Sequence, residues 1–183
     1  MELIILDRDG VINEDSDEYI KSPDEWHPLP GSIQAIARLN HAGYRVVVAT
    51  NQSGVGRGLF DIETLGKIHE KMYLQLEEEG ASVEAIFYCP HQPEDECECR
   101  KPKPGLFKDI ETRLGKPVEG VYAVGDSLRD FDAARAVGAI PILVKTGKGE
   151  RTIEADQGLD DVLQFNDLYS FVDALLSGAL SDT

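Results

Sequence analysis

Short apolar runs rich in β-branched residues alternate along this chain with segments of helical periodicity. The apolar runs occupy residues 2–6, 44–50, 83–89, 120–126 and 139–147. Their composition and bounding turn residues are typical of buried parallel strands. Repeated strand, helix, strand units with right-handed crossovers predict an α/β fold, with a doubly wound, mainly parallel, Rossmann-like sheet covered on both faces.

The segments between the strands have apolar residues at helical spacing, and most end at a glycine. The apolar positions are Ile33, Ile36 and Leu39, then Leu65, Ile68, Met72 and Leu76, then Phe107, Ile110 and Leu114, and the glycines are Gly43, Gly80 and Gly115. Residues 166–176 predict a last helix. No linker or repeat divides the chain, so we expect one domain over residues 1–183, with a small loop inserted at residues 89–99.

Charge excludes some partners. The 18 basic and 34 acidic residues give a formal net charge of −16, which disfavours nucleic acid and anionic membrane surfaces. No apolar run is long enough to cross a bilayer, and the first residues lack the basic region of a signal peptide. We therefore expect a cytoplasmic protein, and a monomer, because no long exposed apolar stripe requires a partner.

Carboxylates follow two of the predicted strands, where ligands bind in sheets of this kind. Asp7 comes directly after the first strand and could attack phosphorus, while Asp9 could act as general acid and base. An ordinary aspartate-rich turn is the alternative for this motif alone. Asp126 follows the fourth strand, so Asp7, Asp126, the backbone carbonyl of Asp9 and a substrate phosphate could bind Mg²⁺. Asp130 could bind through water or orient Lys101, and we favour the second role.

Two further segments carry anion-binding chemistry. The second strand ends at Thr50, and the polar turn that follows could bind phosphoryl oxygens, although a helix N-cap explains the same residues. Arg100 and Lys101 precede a proline-rich turn that opens a helix. Lys101 could neutralise the phosphoryl charge and Arg100 could bind a second anionic group, with a solvated basic turn as the alternative.

All three cysteines lie within one short stretch that also contains a histidine. Cys89, His91, Cys97 and Cys99 supply the ligands of a closed tetrahedral zinc site, which would be structural and would position Arg100 and Lys101. The alternative is free thiols beside a surface histidine. The other histidines, His27, His41 and His69, show no ligand spacing, and Trp26 is interpreted as a packing residue.

The motifs LDRDGVIN, TNQSGVGRG, CRKPKPG and VGDSLRD, in this order, resemble the haloacid dehalogenase superfamily of phosphatases over most of the chain. They are most similar to D-glycero-D-manno-heptose 1,7-bisphosphate 7-phosphatases and their near relatives, the histidinol-phosphate phosphatases. The resemblance implies a nucleophile, an acid and base, two phosphoryl stabilisers, a substrate-recognition residue and a magnesium ligand, which are Asp7, Asp9, Thr50, Lys101, Arg100 and Asp126 respectively.

The resemblance also implies a set of substrate-binding residues: Asp15, Ser16, Asp17, Glu18, Tyr19, Asn51, Gln52, Ser53, Arg100 and Ser127. Ser127 is a departure, because some relatives carry lysine directly after the aspartate of the GD motif. No large cap domain is present in the sequence. Specificity should therefore come from residues 13–22, residues 54–60 and the zinc loop.

The expected reaction is removal of the C7 phosphate of the heptose bisphosphate through an aspartyl-phosphate. It would serve the synthesis of ADP- or GDP-heptose precursors for lipopolysaccharide core or a related glycan. The nearest alternative is hydrolysis of histidinol phosphate. A non-catalytic module that binds phospho-sugars or nucleotides, and a zinc-clamped interaction protein, are alternatives from other classes.

Overall fold

The computed structural model describes residues 2–180, and its centre is a parallel sheet. The strands are β1 (Leu3–Leu6), β2 (Arg45–Asn51), β3 (Ala85–Cys89), β4 (Tyr122–Gly125), β5 (Ile140–Val144) and β6 (Leu163–Phe165). Their spatial order is β3-β2-β1-β4-β5-β6, and every neighbouring pair is parallel. The predicted doubly wound parallel sheet is confirmed, and β1 lies at its centre between β2 and β4.

Within residues 2–180 there are seven α-helices, of which six lie between strands and the last follows β6. They are α1 (Ser32–His41), α2 (Ser53–Gly56), α3 (Ile62–Glu78), α4 (Gly105–Leu114), α5 (Leu128–Arg135), α6 (Gly149–Ala155) and α7 (Leu168–Leu176). Short 3-10 helices lie at Pro23–Glu25 and Pro93–Asp95. The predictions of α1, α3, α4 and α7 are confirmed, and Gly43, Gly80 and Gly115, which come just after three of these helices, have positive φ, as expected for C-terminal stop residues.

Besides the two 3-10 helices, three α-helices and one strand were not predicted from the sequence: α2, α5, α6 and β6. Helix α2 is a single turn. Helices α5 and α6 begin in polar segments, where few apolar residues mark a helical periodicity. Strand β6 has only three residues, and two of them are exposed, so it lacks the apolar run of a buried strand. It is the edge strand of the sheet and pairs with β5.

Besides a small cluster of Phe131, Leu143 and Val162, the hydrophobic core has two large parts, one on each face of the sheet. Side chains of β1 alternate between them: Ile4 and Leu6 join the part covered by α1, α3 and α7, and Leu3 and Ile5 join the part covered by α4 and α5. Full burial of one such side chain contributes about 1.5–3 kcal/mol. Trp26 is fully buried in the first part, which confirms its predicted packing role.

Within residues 2–180, every helix falls short of the length and apolar character that a membrane crossing requires.

Candidate active site

A cavity of about 230 Å³ opens at the carboxyl ends of the central strands. Asp7 follows β1, Thr50 lies near the end of β2, and Asp126 follows β4, so the parallel register brings three separate motifs to one edge of the sheet. The cavity is lined by Asp7, Asp9, Asp15, Ser16, Asp17, Tyr19, Ile20, Thr50, Asn51, Gln52, Ser53, Arg57, Arg100, Lys101, Asp126, Arg129, Asp130 and Lys148.

Most of the residues proposed from the sequence for catalysis, magnesium or substrate therefore share one cavity. Two of them, Glu18 and Ser127, do not border it. Ser127 is the N-cap of α5, where its hydroxyl donates to Asp130 Oδ2 at 3.1 Å. Glu18 is exposed, and its backbone N–H donates to the Ser16 hydroxyl.

Asp7 and Asp130 share the Lys101 ammonium. Lys101 Nζ lies 3.2 Å from Asp7 Oδ1 and 2.7 Å from Asp130 Oδ1, and it also donates to the Ala49 carbonyl. Burial raises the pKa of Asp7 to about 6, and the carboxylates of Asp130 and Asp9 act in the same direction against Lys101. Burial would lower the pKa of Lys101, but its two carboxylate partners outweigh burial and raise it. The ammonium is therefore fixed beside Asp7 as a positive charge.

Asp9 is held by three side chains. Oδ1 accepts from Arg8 Nε at 2.7 Å and from Asn13 Nδ2 at 2.9 Å, and Oδ2 accepts from Gln52 Nε2 at 3.2 Å. Burial acts to raise the pKa of Asp9. The charge and hydrogen bond of Arg8 and the hydrogen bonds of Asn13 and Gln52 outweigh burial and lower it. Asp9 is therefore a carboxylate in the resting protein.

The oxygens of three acidic side chains lie close enough together to bind one cation. Ligand atoms of Asp7, Asp126 and Asp130 all lie within 4.8 Å of one another. Burial raises the pKa of Asp126 well above its ordinary value, and Asp130 and Asp7 raise it further. This repulsion among buried carboxylates is what a divalent cation relieves, so the oxygen-rich set fits Mg²⁺. The Asp9 carboxylate is turned to Arg8, Asn13 and Gln52, so a contribution from Asp9 would come through its backbone carbonyl.

Close backbone packing shapes the acidic cluster. Gly10 has φ +85°, and a Cβ built there would overlap Asp126 Oδ2. On the other side, the backbone N–H of Lys148 donates to the same oxygen at 2.8 Å. Asp126 is thus held between the turn after β1 and the turn after β5. The backbone at Gly10 approaches the Asp126 carboxylate so closely that only glycine fits there.

Asp130 has both carboxylate oxygens occupied by protein groups. Oδ1 accepts from Lys101, and Oδ2 accepts from the backbone N–H groups of Asp126 and Ser127 and from the Ser127 hydroxyl. These bonds outweigh the effect of burial and lower the pKa of Asp130, with the Lys101 charge as the main cause. The arrangement favours Asp130 as the residue that orients Lys101.

The cysteine and histidine ligand atoms also form a compact group. Cys97 Sγ lies 3.6 Å from Cys89 Sγ and 3.7 Å from Cys99 Sγ, and His91 Nδ1 lies 3.5 Å from Cys89 Sγ and 3.3 Å from Cys99 Sγ. Zinc–sulfur bonds of about 2.3 Å in a tetrahedron require sulfur atoms about 3.8 Å apart. The Cys89–Cys99 separation of 2.9 Å is shorter than this ideal. Overall, the donor set and spacing fit a closed zinc site, and among residues 2–180 neither candidate metal group contains His27, His41 or His69.

Sequence reasoning missed two cations that border the cavity, Arg129 and Lys148, and it included Arg57 only as part of the specificity segment 54–60. Lys148 Nζ binds Asp15 Oδ2 at 2.5 Å, and Arg57 lies over the ring of Tyr19. The rule that ligands bind beyond strand ends could have identified Lys148, because it lies four residues after β5. Arg129 lies within the VGDSLRD motif, in which the sequence analysis assigned roles to Asp126 and Asp130 but not to the arginine.

Comparison with known proteins agrees with this geometry. A family profile described as HAD-hydrolase-like matches residues 98–169. D-glycero-beta-D-manno-heptose-1,7-bisphosphate 7-phosphatase of Bordetella bronchiseptica is 55% identical over 180 residues, covering 98% of this chain and 100% of the relative. The Pseudomonas aeruginosa protein of the same name is 52% identical, covering 95% and 97%. The chain belongs to the D-glycero-beta-D-manno-heptose-1,7-bisphosphate 7-phosphatase family.

Crystal structures of similar phosphatases are also known. The crystal structure of the D,D-heptose 1,7-bisphosphate phosphatase from B. bronchiseptica, complexed with magnesium and phosphate, superposes with a TM-score of 0.94 at 55% identity and covers 97% of this chain and 99% of that one. The Burkholderia thailandensis enzyme gives a TM-score of 0.77 at 45% identity, with the same coverage. The superfamily resemblance read from the four motifs is confirmed, and the chain is a phosphatase of the haloacid dehalogenase type.

Proposed function

We propose that this chain removes the C7 phosphate of D-glycero-D-manno-heptose 1,7-bisphosphate through an aspartyl-phosphate on Asp7. The observation that carries the proposal is the arrangement of Asp7, Asp9 and Lys101 at the end of β1, in a chain 55% identical over its length to a relative of that name. A protein that only binds phospho-sugars needs neither a nucleophile such as Asp7 nor an adjacent acid and base such as Asp9. Their presence together disfavours a non-catalytic binding module.

Asp7 is the nucleophile. Its Oδ1 accepts hydrogen bonds from the Arg8 backbone N–H at 2.9 Å and from Lys101 Nζ at 3.2 Å, which fix that oxygen at the cavity. Attack on phosphorus forms the bond from Asp7 to the phosphoryl group as the bond to the sugar oxygen breaks. Lys101 and the turn at Thr50 stabilise the equatorial oxygens, whose charge develops in the transition state.

Asp9 moves the protons. Its resting form is the carboxylate, but a phosphate dianion placed beside it favours the protonated form, because like charges raise a carboxyl pKa. Oδ2, on the Gln52 side, is the oxygen that would carry this proton to the departing sugar oxygen. In the second half of the reaction the same carboxylate takes a proton from the water that hydrolyses the aspartyl-phosphate.

Magnesium would be held by Asp7 and Asp126, with the Asp9 backbone carbonyl as a further ligand. When bound, Mg²⁺ supplies positive charge to the phosphoryl oxygens and keeps Asp7 ionised. The chain's own part is to keep Asp126 in place, through the Lys148 N–H, and to orient Lys101 through Asp130.

The charge of the cavity supports a substrate with a second anionic group. Among residues 2–180, none of Arg57, Arg100 and Arg129 forms a salt bridge, although all three border the cavity. Their guanidinium groups remain available for a phosphate, which Arg binds through two parallel hydrogen bonds. Histidinol phosphate carries a cationic amine where the heptose carries its second phosphate, so this group of arginines favours the heptose bisphosphate.

The closed cysteine and histidine group would bind zinc and position the segment that leads into Arg100 and Lys101. Arg100 Nη1 is 3.5 Å from the His91 carbonyl, which links the recognition residue to this loop. We place the reaction in the cytoplasm, as a step of heptose precursor synthesis for lipopolysaccharide or a related glycan. The single domain over residues 1–183, the monomeric state and the substrate role of Ser127 and Glu18 stay predictions.

The test is phosphate release from heptose 1,7-bisphosphate and from histidinol phosphate, measured side by side with and without Mg²⁺. We expect Mg²⁺-dependent release from the heptose at a higher kcat/KM than from histidinol phosphate. A preference for histidinol phosphate would keep the mechanism and overturn the substrate. Lack of release from both would overturn the proposed function.

A further inference from the structure

Arg8 is the residue between the two functional aspartates, and it points away from the cavity. Asp7 and Asp9 line the cavity, whereas Arg8 does not border it. Its side chain has no exposed surface, and Nη2 has no hydrogen-bond partner within the described chain. A buried guanidinium is costly unless partners hold it. The partners of the buried Arg8 guanidinium are therefore informative about its role.

Two side chains bind the Arg8 guanidinium. Nε donates to Asp9 Oδ1 at 2.7 Å, and Nη1 lies 3.1 Å from Nε2 of His69. His69 is on α3, 61 positions along the chain, and only 8% of its surface is exposed. It projects from the same helix face as Leu65, Ile68 and Met72, which pack against the sheet. The buried face of α3 thus supplies the second anchor of Arg8.

The chemistry of this contact fixes the state of His69. Arginine has only donors, so His69 Nε2 must be an unprotonated acceptor, and the ring proton is on Nδ1. Burial and the Arg8 charge lower the pKa of His69 to about 3, against a smaller opposing effect of Asp9. His69 is therefore neutral near pH 7 and is an acceptor at the position where Arg8 needs one.

We infer that His69 is a positioning residue for Asp9: by accepting a hydrogen bond from Arg8 Nη1, it fixes the guanidinium that holds Asp9 Oδ1 and so directs Oδ2 into the cavity. Asn13 holds the same Oδ1 and Gln52 holds Oδ2, so Arg8 is the charged one of three side chains that fix the carboxylate. His69 touches neither substrate nor metal in this arrangement. We expect its main effect to be on the proton transfers of Asp9. The inference rests on the proposed function for its kinetic test only.

The kinetic test compares His69→Met with His69→Gln. Glutamine places an acceptor oxygen near the Nε2 position, whereas methionine has similar length and no comparable acceptor. The two substrates are heptose 1,7-bisphosphate, whose sugar oxygen needs a proton to leave, and p-nitrophenyl phosphate, whose phenolate does not. Since kcat/KM reports the steps up to departure of the leaving group, loss of a well-placed acid lowers kcat/KM for the heptose only.

We expect His69→Met to lower kcat/KM for the heptose bisphosphate by about tenfold or more, with a much smaller fall for p-nitrophenyl phosphate, and His69→Gln to restore most of the loss. The matched control is His41→Met on α1, whose ring nitrogen Nδ1 bonds the Ala37 carbonyl at an exposed site and which should leave both values unchanged. Equal falls for both substrates, or equal behaviour of the Met and Gln variants, would overturn the inference.

A second measurement does not depend on turnover or on a variant that folds. The ¹⁵N NMR spectrum of His69 in the wild-type chain at neutral pH should show the neutral ring protonated at Nδ1. A ring protonated at Nε2, or at both nitrogens, overturns the inference directly. A wild-type chain that hydrolyses p-nitrophenyl phosphate but not the heptose would instead overturn the proposed substrate, and the tautomer would still decide the role of His69.

Discussion

The side-chain amide of Asn51 binds both backbone polar groups of Lys101. Nδ2 donates to the Lys101 carbonyl at 3.0 Å, and the Lys101 N–H donates to Oδ1 at 3.0 Å. The pair joins the last residue of β2 to the segment that follows the zinc loop. It therefore fixes the backbone of the residue whose ammonium lies beside Asp7. A role for Asn51 in binding substrate, implied by the family resemblance, stays a prediction, and positioning of Lys101 is a role that its geometry supports.

Removal of this amide should impair catalysis more than stability. We expect Asn51→Ala to lower kcat by about tenfold to a hundredfold, because a small displacement of a transition-state charge has a large effect on rate. The control is Asn40→Ala, which removes an amide that binds the Tyr44 carbonyl and the Ser82 N–H far from the cavity. Similar kcat values for the two variants, at similar loss of melting temperature, would contradict the positioning role.

Gly10→Ala should damage the acidic cluster. Gly10 and Gly43 both have positive φ, at +85° and +90°, so alanine is strained at either position by about 1 kcal/mol. Only at Gly10 does the added methyl group overlap Asp126, and nothing lies within 4 Å of a Cβ at Gly43. We expect Gly10→Ala to weaken Mg²⁺ activation, measured as the Mg²⁺ concentration at half-maximal rate, and Gly43→Ala to leave it unchanged. An equal Mg²⁺ requirement in both would contradict the packing argument.

Loss of zinc should lower activity through position rather than chemistry. We expect purified protein to contain about one zinc per chain and Cys97→Ser to contain much less, since a closed site uses all four ligands. Activity of the variant should fall by about tenfold, because the loop leads directly into Arg100 and Lys101. Added Zn²⁺, but not added Mg²⁺, should restore wild-type protein treated with a chelator. Full activity of a zinc-free chain would exclude this role.

The buried histidine predicts a pH dependence of stability. The pKa of His69 falls from 6.5 in the unfolded chain to about 3 in the folded one, mainly through burial. Between these values the unfolded chain binds a proton that the folded chain does not, so the free energy of unfolding rises with pH. Relative to His69→Gln, the wild type should lose stability as pH falls from about 6.5, by at most about 1.4 kcal/mol per pH unit. Chemical denaturation at several pH values measures this slope, and parallel profiles for the two proteins would contradict it.

The sequence predicted the features that local patterns determine. Five apolar runs predicted β1 to β5, and the rule for strand ends predicted that Asp7, Thr50 and Asp126 lie at one edge of the sheet. Spacing within one short segment identified the cysteine and histidine group. These predictions succeed because the necessary partners lie close in sequence or share the carboxyl edge of the sheet.

Contacts between distant segments could not be read in the same way. His69 carries no motif, and its partner Arg8 is 61 positions away, so only the packing of α3 against the sheet brings them together. The ion pair of Lys148 with Asp15 likewise spans 133 positions. Strand β6 is too short and too exposed for its composition to distinguish it from a loop. Ser127 lies in a predicted motif, yet it does not border the cavity, and its hydroxyl donates to Asp130 Oδ2.

The covalent step on Asp7 is the central claim, and one trapping measurement tests it most directly. Asp9→Asn is mixed with p-nitrophenyl phosphate and Mg²⁺, quenched in acid within seconds, and mapped by peptide mass spectrometry. The phenolate needs no proton to leave, whereas hydrolysis of the aspartyl-phosphate needs Asp9 as base, so the intermediate should accumulate. We predict one added phosphoryl group on the peptide that contains Asp7, and none when Asp7→Asn is also present. Phosphoryl transfer to another residue, or turnover by the Asp7→Asn chain, would contradict the account.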